Sequence, residues 1–235
     1  MRQNIKAVAF DLDGTLYPSY RINIRLLPFA LVNLRLLIAF GKAREIIRKE
    51  QEYTPDLSPE EFYAYQAKII SRLLGDPEKE IQEKVDRLIY RGWEPHFKSV
   101  KLYSYVKETL EALRKAGYKL ALLSDFPPKN KLVYLDLGNY WDVTLCSEST
   151  GKIKPHPRSF REIAQSLNVK PEDILYVGNS HSYDVVGAAN AGMQTALIKR
   201  SLPSAAARLL HLPKKLPKPA FTFSDYRQLY DYMLD

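Results

Sequence analysis

A chain of 235 residues with 46% hydrophobic and 26% charged side chains has the length for one large domain or two small ones and the composition of a globular protein. The formal net charge of +8 favours anionic partners. However, the Lys and Arg residues are scattered and form no recognisable nucleic-acid-binding motif, so nucleic acid is not an expected partner. The single cysteine, Cys146, excludes an internal disulfide, and without a Cys/His cluster a structural zinc site is not expected.

The N-terminal residues 1–6 lead directly into a strand-like segment and lack the apolar core and cleavage site of a signal peptide. The most apolar region, residues 24–40, falls short of a membrane span because polar residues and a proline interrupt it. These interruptions are Arg25, Pro28, Asn33 and Arg35. We therefore expect a cytoplasmic protein with no membrane span, in which residues 24–40 form a helix that packs inside the protein or faces a partner. A membrane-surface role is the lesser alternative.

Six short apolar runs have the composition of strands that are buried on both faces of a sheet. They are residues 5–10, 120–123, 143–146, 174–177, 195–198 and 220–223. Cys146 ends the third run, which indicates a buried strand residue rather than a nucleophile. Helix patterns alternate with the later strands, at residues 106–116, 158–167, 184–191 and 226–233. This alternation predicts an α/β fold with a Rossmann-like, doubly wound parallel sheet.

Residues 17–98 break this alternation because they contain helix patterns only, at 26–40, 42–52, 58–74 and 78–91. Pro28 and Pro77 are expected in first helical turns, and Ser58 with Glu61 has the spacing of a capping box. We therefore predict a core formed by residues 1–16 and 99–235, with an inserted α-helical domain formed by residues 17–98. Residues 201–219, rich in Pro, Lys and Ala, are expected to form a surface loop.

Polar residues follow several of the predicted strands, at the sheet edge where open α/β folds bind their ligands. The residues expected to converge there are Asp11, Asp13, Gly14, Ser124, Asp125, Lys154, Asn179 and Asp184. Asp11 and Asp13 are separated by one residue, and two carboxylates so close repel unless a cation lies between them or one carries a proton. Magnesium suits such a site, because it needs only a few oxygen ligands besides substrate phosphate.

The same cluster contains the parts needed for phosphoryl transfer. A carboxylate can act as a covalent nucleophile and form an aspartyl phosphate. Gly14 permits unusual backbone angles, and the free N–H groups of such a turn can hold phosphate oxygens. The residue types at this edge therefore indicate chemistry on a phosphorylated substrate.

Four motifs in order resemble those of the haloacid dehalogenase superfamily, specifically its phosphatase branch. They are residues 11–16 (DLDGTL), 122–124 (LLS), 151–155 (GKIKP) and 177–185 (VGNSHSYDV). Together they span nearly all of the predicted core, and the helical insertion after the first motif resembles the family's cap. The resemblance implies a Rossmann-like core, a magnesium cofactor and a small phosphate monoester as substrate.

The resemblance also implies a role for each matching residue. Asp11 would attack phosphorus and bind magnesium, while Asp13 would act as acid and base and touch the metal through its backbone carbonyl. Ser124 and Lys154 would act on the phosphoryl group, with Gly14 and Asp125 beside them in substrate binding. Asn179 and Asp184 would complete the metal site.

Two positions depart from the family pattern. Asn179 stands where the family usually has Asp, which implies weaker metal binding, and Asp125 stands where Asn is common. An extra anion beside a phosphate site is unfavourable unless it points away or binds a positive group. Asn179 and Asp184 could also simply cap the following helix.

Other functions remain open at the level of sequence. A dehalogenase of this superfamily would lack a second motif-one aspartate, so Asp13 argues against that activity. A phosphomutase on the same scaffold and a non-catalytic phosphate-binding or interaction protein both stay possible, the second because of Asn179. The sequence specifies neither the substrate nor the oligomeric state.

Overall fold

The structure is a computed structural model that describes residues 4–199 and 217–235. Its centre is a parallel sheet of six strands. The strands are β1 (Ala7–Phe10), β2 (Lys119–Ser124), β3 (Val143–Cys146), β4 (Ile174–Gly178), β5 (Gln194–Ile198) and β6 (Phe221–Phe223). Their order across the sheet is β3-β2-β1-β4-β5-β6. The order reverses at β1, which lies between β2 and β4, and ligands of open α/β sheets bind beside such a point.

The helices alternate with these strands and also fill the long connection between β1 and β2. They are α1 (Ser19–Val32), α2 (Leu34–Glu50), α3 (Pro59–Leu74), α4 (Glu78–Val85), α5 (Val106–Lys115), α6 (Lys129–Tyr134), α7 (Pro157–Leu167), α8 (Val186–Asn190) and α9 (Tyr226–Leu234). The predicted α/β fold with a doubly wound parallel sheet is confirmed.

Both faces of the sheet are covered because alternate strand residues point to opposite sides. Val8 and Phe10 of β1 belong to one apolar cluster, which includes residues of α5 and α9. Ala7 and Ala9 belong to the opposite cluster, which includes residues of α7 and α8. Burial on both faces explains why the central strands are nearly continuous apolar runs.

The connection between β1 and β2 has an apolar core of its own. Buried residues from α2, α3 and α4 pack together there, including Phe40, Phe62, Ile70 and Ile81. A π-helical turn (Asp86–Tyr90) continues α4, and a 3-10 turn (Glu94–Phe97) follows it. The predicted helical insertion is thus present, whereas its division from the core at residues 17 and 98 stays a prediction.

Two predicted helix boundaries in this insertion are wrong. The sequence predicted helices at 26–40 and 42–52, but the break falls at Asn33 and α2 continues through Gly41. The Asn33 side chain donates to the Phe29 carbonyl at 3.0 Å, so it competes with the backbone for helical hydrogen bonds. Pro28 lies inside α1 rather than in its first turn. Ser58 and Glu61 do form the predicted capping box at α3.

Strand β3 differs from its predicted environment. It is the last strand on one side of the sheet, so Cys146 is half-buried and Thr144 is exposed, although the run was predicted to be fully buried. Most of the loop predicted at 201–219 lies outside the described residues. Within the described ranges, no single helix is long and apolar enough to cross a bilayer; α1 and α2 reach that length only as a pair bent by 114°.

The central strand β2 gives a direct test of this core. Leu122 is fully buried, so Leu122→Ala should destabilise the protein by about 2–5 kcal/mol through lost burial and a residual cavity. Val133→Ala, at an exposed position of α6, should change the free energy of unfolding by less than about 0.5 kcal/mol. Urea denaturation measures both. Equal effects of the two substitutions would contradict the assigned packing.

Candidate active site

Asp11 extends from the end of the central strand β1 into a buried polar site. Its backbone N–H still bonds to the Val177 carbonyl of β4 at 2.9 Å, which fixes its position at the sheet edge. One carboxylate oxygen accepts a hydrogen bond from Lys154 Nζ at 2.6 Å, and the other accepts from the Thr15 hydroxyl at 2.7 Å. The sheet therefore presents a nearly solvent-free carboxylate with both oxygens bound.

Lys154 joins the ends of β1 and β4 from a loop that precedes α7. Its buried Nζ lies 2.6 Å from Asp11 Oδ1 and 2.8 Å from Asp184 Oδ1, with the Tyr176 hydroxyl at 3.5 Å. A buried ammonium group is stable only with such partners. The structure thus brings together Asp11, Lys154 and Asp184, as the sequence predicted.

Asp184 also shapes the loop that follows β4. Its second oxygen accepts from the backbone N–H groups of Asn179 and Ser180, at 3.1 and 2.9 Å. The Ser180 hydroxyl accepts from Tyr183 N and caps the following turn. The helix-capping role considered for Asn179 and Asp184 therefore belongs to Ser180. A side chain at Gly178 would collide with the Asp184 carboxylate, so only glycine allows this close approach.

Asn179 lies beside the Asp11 carboxylate. The Thr15 hydroxyl contacts both, at 2.7 Å to Asp11 Oδ2 and at 3.4 Å to Asn179 Oδ1. Gly14 has a φ of +90°, and a Cβ there would overlap the side chains of Asn179 and Ser19. Glycine at this position therefore lets the first-motif turn pack directly against the loop after β4.

Asp13 is held by a lysine that the sequence analysis did not single out. Lys131 Nζ donates to both Asp13 oxygens, at 2.8 and 3.0 Å, and the Tyr17 hydroxyl donates to one of them. Ser124 lies 3.5 Å from the same carboxylate. Lys131 is buried against the rings of Phe97 and Phe126. No motif surrounds Lys131 on α6, and a lysine in a short helix is usually solvated. Nothing in the sequence therefore singled this residue out.

Asp125 binds positive groups from the helical insertion. Arg48 Nη2 lies 3.0 Å and Arg44 Nη2 lies 3.3 Å from Asp125 Oδ2, while the Ser147 hydroxyl donates to Oδ1 at 2.6 Å. Arg44 also forms a buried ion pair with Glu148. These contacts offset the cost of an anion at this position, and Asp125's predicted substrate-binding role stays a prediction.

The charges around Asp11 are not fully balanced. Asp11, Asp13 and Asp184 supply three carboxylates, against two ammonium groups from Lys154 and Lys131. Burial raises the pKa of Asp11 to about 7; Lys154 opposes this rise, and Asp184 and Asp13 add to it. For Lys154, burial favours a lower pKa, but Asp11 and Asp184 outweigh it and hold the pKa well above the usual value. The site therefore favours either an additional cation or a proton on Asp11.

The polar site around Asp11 contains several hard oxygen donors. They are the carboxylate of Asp11, the amide oxygen of Asn179 and, behind Lys154, the carboxylate of Asp184. Oxygen donors of this kind suit Mg²⁺. Across residues 4–199 and 217–235, His, Cys, Asp and Glu side chains nowhere gather in threes as a ready-made metal site. Asn179 would therefore have to contribute as an amide ligand.

A parallel sheet with a buried aspartate–lysine pair beyond its central strand defines a Rossmann-like α/β protein with a polar site at its switch point. Residues 5–192 match the model of the haloacid dehalogenase-like hydrolases. A glyceraldehyde 3-phosphate phosphatase from Methanopyrus kandleri is 33% identical over 204 residues, covering 83% of this chain and 84% of that protein.

Two further comparisons agree with this family match. The pyrophosphatase PpaX from Bacillus cereus is 31% identical over 206 residues, which cover 84% of this chain and 85% of that protein. The L-2-haloacid dehalogenase structure from Xanthobacter autotrophicus shares the fold, with a TM-score of 0.68 and 21% identity over 97% of this chain and 98% of that one. The chain therefore belongs to the haloacid dehalogenase-like hydrolase family, and the resemblance drawn from its four motifs is confirmed.

The ion pairs of Asp125 should make the free energy of unfolding depend on pH in the acid range. Burial alone would raise the pKa of Asp125, but Arg44, Lys154 and Arg48 together lower it from 3.8 to about 2. The ion pairs should therefore stabilise the fold fully above about pH 4, and this contribution should be lost as the pH falls toward 2. With the side chain only 15% exposed, we expect a contribution of about 2 kcal/mol.

Thermal or urea unfolding between pH 2 and pH 5 measures this contribution. Asp125→Asn should lower stability at pH 5 and reduce its fall toward pH 2. The matched change Asp231→Asn, at an exposed position of α9, should keep the wild-type slope. An Asp125→Asn protein with an unchanged slope would show that the arginines do not hold the carboxylate ionised.

Proposed function

We propose that this protein is a magnesium-dependent phosphatase that hydrolyses a small-molecule phosphate monoester through an aspartyl phosphate on Asp11. The observation that carries the proposal is the position of Lys154 Nζ, 2.6 Å from Asp11 and 2.8 Å from Asp184, with Asp13 held separately by Lys131. This arrangement provides a buried nucleophile, a cation to neutralise phosphoryl charge, and a second carboxylate for proton transfer. Positioning and charge neutralisation are the main needs of phosphoryl transfer.

In the first step, one Asp11 oxygen attacks phosphorus and the bond to the leaving oxygen breaks, while Asp13 gives its proton to that oxygen. In the second step, a water attacks phosphorus, Asp13 takes the water proton, and the bond to Asp11 breaks to release phosphate. Asp11 is regenerated and Asp13 is protonated again, so atoms and charge balance. A positioned acid/base of this kind contributes roughly 10²- to 10⁴-fold in rate.

The contacts of Asp13 define what must change when substrate binds. Lys131 and Tyr17 now bind its carboxylate, and an ammonium partner stabilises the ionised form. Asp13 can donate a proton only after that ion pair loosens. We propose that a phosphoryl group entering the site draws Lys131 toward its own oxygens, because the dianion competes for the same ammonium.

Lys154 and Ser124 would bind the phosphoryl oxygens. Lys154 neutralises charge as the phosphoryl group approaches Asp11. The Ser124 hydroxyl has only a 3.5 Å contact to Asp13 as a donor, so it is available to donate to phosphate. The turn at Gly14 would let the anion approach backbone N–H groups.

Magnesium would be held by Asp11, the Asp13 carbonyl and Asn179, with Asp184 completing the charge around them. The fit rests on the oxygen donors that meet beside Thr15 and on the unbalanced carboxylate charge. Bound Mg²⁺ would supply positive charge that favours the ionised nucleophile and neutralises phosphate oxygens.

The relatives support a small substrate. One is named for glyceraldehyde 3-phosphate, a phosphate monoester, and another for pyrophosphate. We further propose that residues 17–98 form a cap over the site, since Arg44 and Arg48 of α2 reach Asp125 directly after β2. Closure of such a lid would exclude water from the reacting groups.

Hydrolysis of para-nitrophenyl phosphate with Mg²⁺ tests the proposed reaction. Asp11→Asn should reduce kcat by at least roughly 10³-fold, because an amide cannot form the phosphoenzyme. Asp231→Asn, an exposed aspartate far along the chain, should retain activity. Chelation of Mg²⁺ should abolish turnover both in the wild type and in the Asp231→Asn variant.

The outcome also separates the alternatives. Inactivity of the wild type across a panel of phosphate monoesters and pyrophosphate would support a non-catalytic phosphate-binding protein. Transfer of phosphate to a second hydroxyl of the substrate, without release of inorganic phosphate, would support a phosphomutase. Full activity of Asp11→Asn would overturn the assigned nucleophile.

The uncharged amide of Asn179 should limit the affinity of the site for Mg²⁺. Asn179→Asp adds a formal charge beside Asp11, so we expect the Mg²⁺ concentration for half-maximal activity to fall about tenfold, or about 1.4 kcal/mol in binding. Asn190→Asp, on an exposed residue of α8, should leave that concentration unchanged. Isothermal titration with Mg²⁺ gives the same comparison without turnover. Equal Mg²⁺ affinity in both variants would place Asn179 outside the metal site.

A further inference from the structure

An apolar corner lies on the outer surface of the helical insertion. Eight Ile, Leu and Val side chains among the described residues are exposed, and six of them lie within residues 24–38. These six, which we name the aliphatic corner, are Ile24, Leu27, Leu31, Val32, Leu34 and Ile38. Scattered exposed aliphatics are normal, but six of them within residues 24–38 of two adjoining helices indicate a contact surface.

The six side chains lie on both sides of the bend between α1 and α2. The two helices meet at Asn33 with a bend of 114°, and the residues just before the bend are the most exposed, Leu31 at 71% and Val32 at 85%. Ile24, Leu27 and Leu31 have the spacing of one face of α1. None of the six lines the cavity formed by other residues of α1 and α2, such as Leu26 and Leu37, so the corner is not part of that groove.

The chain that forms the corner carries basic residues and no acidic ones. Between Asp13 and Glu45 it contains Arg21, Arg25, Arg35, Lys42 and Arg44, of which Arg44 is buried in ion pairs with Asp125 and Glu148. Arg25 and Arg35 donate to backbone carbonyls, and neither takes part in an ion pair within residues 4–199 and 217–235. Their positive charge therefore remains available to an anionic surface.

We propose that the aliphatic corner inserts into the headgroup boundary of a membrane that contains anionic lipids. Aliphatic side chains with flanking Arg and Lys are the composition of interfacial helices, which bury their apolar side shallowly and bind anionic headgroups beside it. The exposed corner can enter lipid, whose chains adapt to its shape.

A second copy of the chain is a less suitable partner for the aliphatic corner than an anionic membrane. A symmetric dimer formed through this corner would place the same patch on both sides of the interface. Arg25 and Arg35 of both copies would then belong to one interface, with no carboxylate from residues 14–44 to pair with them. Like charges across an interface oppose association, whereas an anionic lipid surface complements them.

This contact leaves the candidate active site open. α1 runs from Ser19, next to the first-motif turn, to Val32 at the corner, and a helix of that length spans about 20 Å. The Val32 end of the corner therefore lies about one helix length from the first-motif turn, while Ile24 lies nearer to that turn. The proposal is independent of the proposed phosphatase activity.

Co-sedimentation of the full chain with lipid vesicles tests the proposal. The wild type should bind vesicles of phosphatidylcholine with about one third phosphatidylglycerol, and bind pure phosphatidylcholine at least about tenfold more weakly. Leu31→Glu combined with Val32→Glu should weaken binding to the anionic vesicles at least about tenfold, because charged residues oppose insertion. Val133→Glu, 68% exposed on α6, is the matched control and should bind like the wild type.

A fluorescence readout locates the contact independently. Val32→Trp should show a blue-shifted emission on anionic vesicles and protection from iodide, whereas Val133→Trp should show neither. Wild-type protein that ignores anionic vesicles, or a double glutamate variant that binds as tightly as the control, would overturn the proposal. A dimer in solution that only the double glutamate variant dissociates would instead assign the corner to a second copy and also overturn it.

Hydrolysis measured in the absence of vesicles keeps the two proposals separate. The double glutamate variant should cleave para-nitrophenyl phosphate like the wild type, because its changes lie at the far end of α1. Loss of lipid binding with retained hydrolysis is therefore the expected result for this variant. Asp11→Asn should show the reverse, with vesicle binding unchanged.

Discussion

The buried contact of Lys154 with Asp11 and Asp184 is the interaction on which the site depends. One ammonium group joins side chains that follow β1 and β4 to the loop before α7, so it fixes three segments at one sheet edge. Such a group cannot remain charged inside a protein without partners. The same contact that holds the segments together therefore also places the Asp11 carboxylate, the proposed nucleophile, beside a cation.

A second layer of ion pairs connects this edge to the helical insertion. Arg44 and Arg48 of α2 approach Asp125, and Arg44 also binds Glu148. Breaking one partner of a buried pair is costly, because it leaves an uncompensated charge. Charge as well as apolar packing thus holds the insertion against residues at this edge of the sheet, and the proposed cap would depend on these contacts.

The two ends of α1 have different surroundings. Its first residue, Ser19, lies against the turn at Gly14, while its last residues, Leu31 and Val32, are the most exposed part of the aliphatic corner. One helix thereby connects the edge that carries the candidate site with the surface proposed to bind lipid. If both proposals hold, the protein would hydrolyse a small phosphate ester while attached to a membrane surface.

The strand runs determined the parallel sheet, and the four motifs singled out most residues of the candidate site, because buried strands and glycine turns have strong local patterns. Asp11, Asp13, Ser124, Lys154, Asn179 and Asp184 were predicted in this way, and their roles stay predictions. Lys131, Arg44 and Arg48 were not, since a lysine or arginine on a helix looks the same whether it is solvated or buried against a carboxylate distant in sequence. Only the tertiary structure decided these pairings, the helix break at Asn33 and the edge position of β3, because each depends on contacts beyond the local chain.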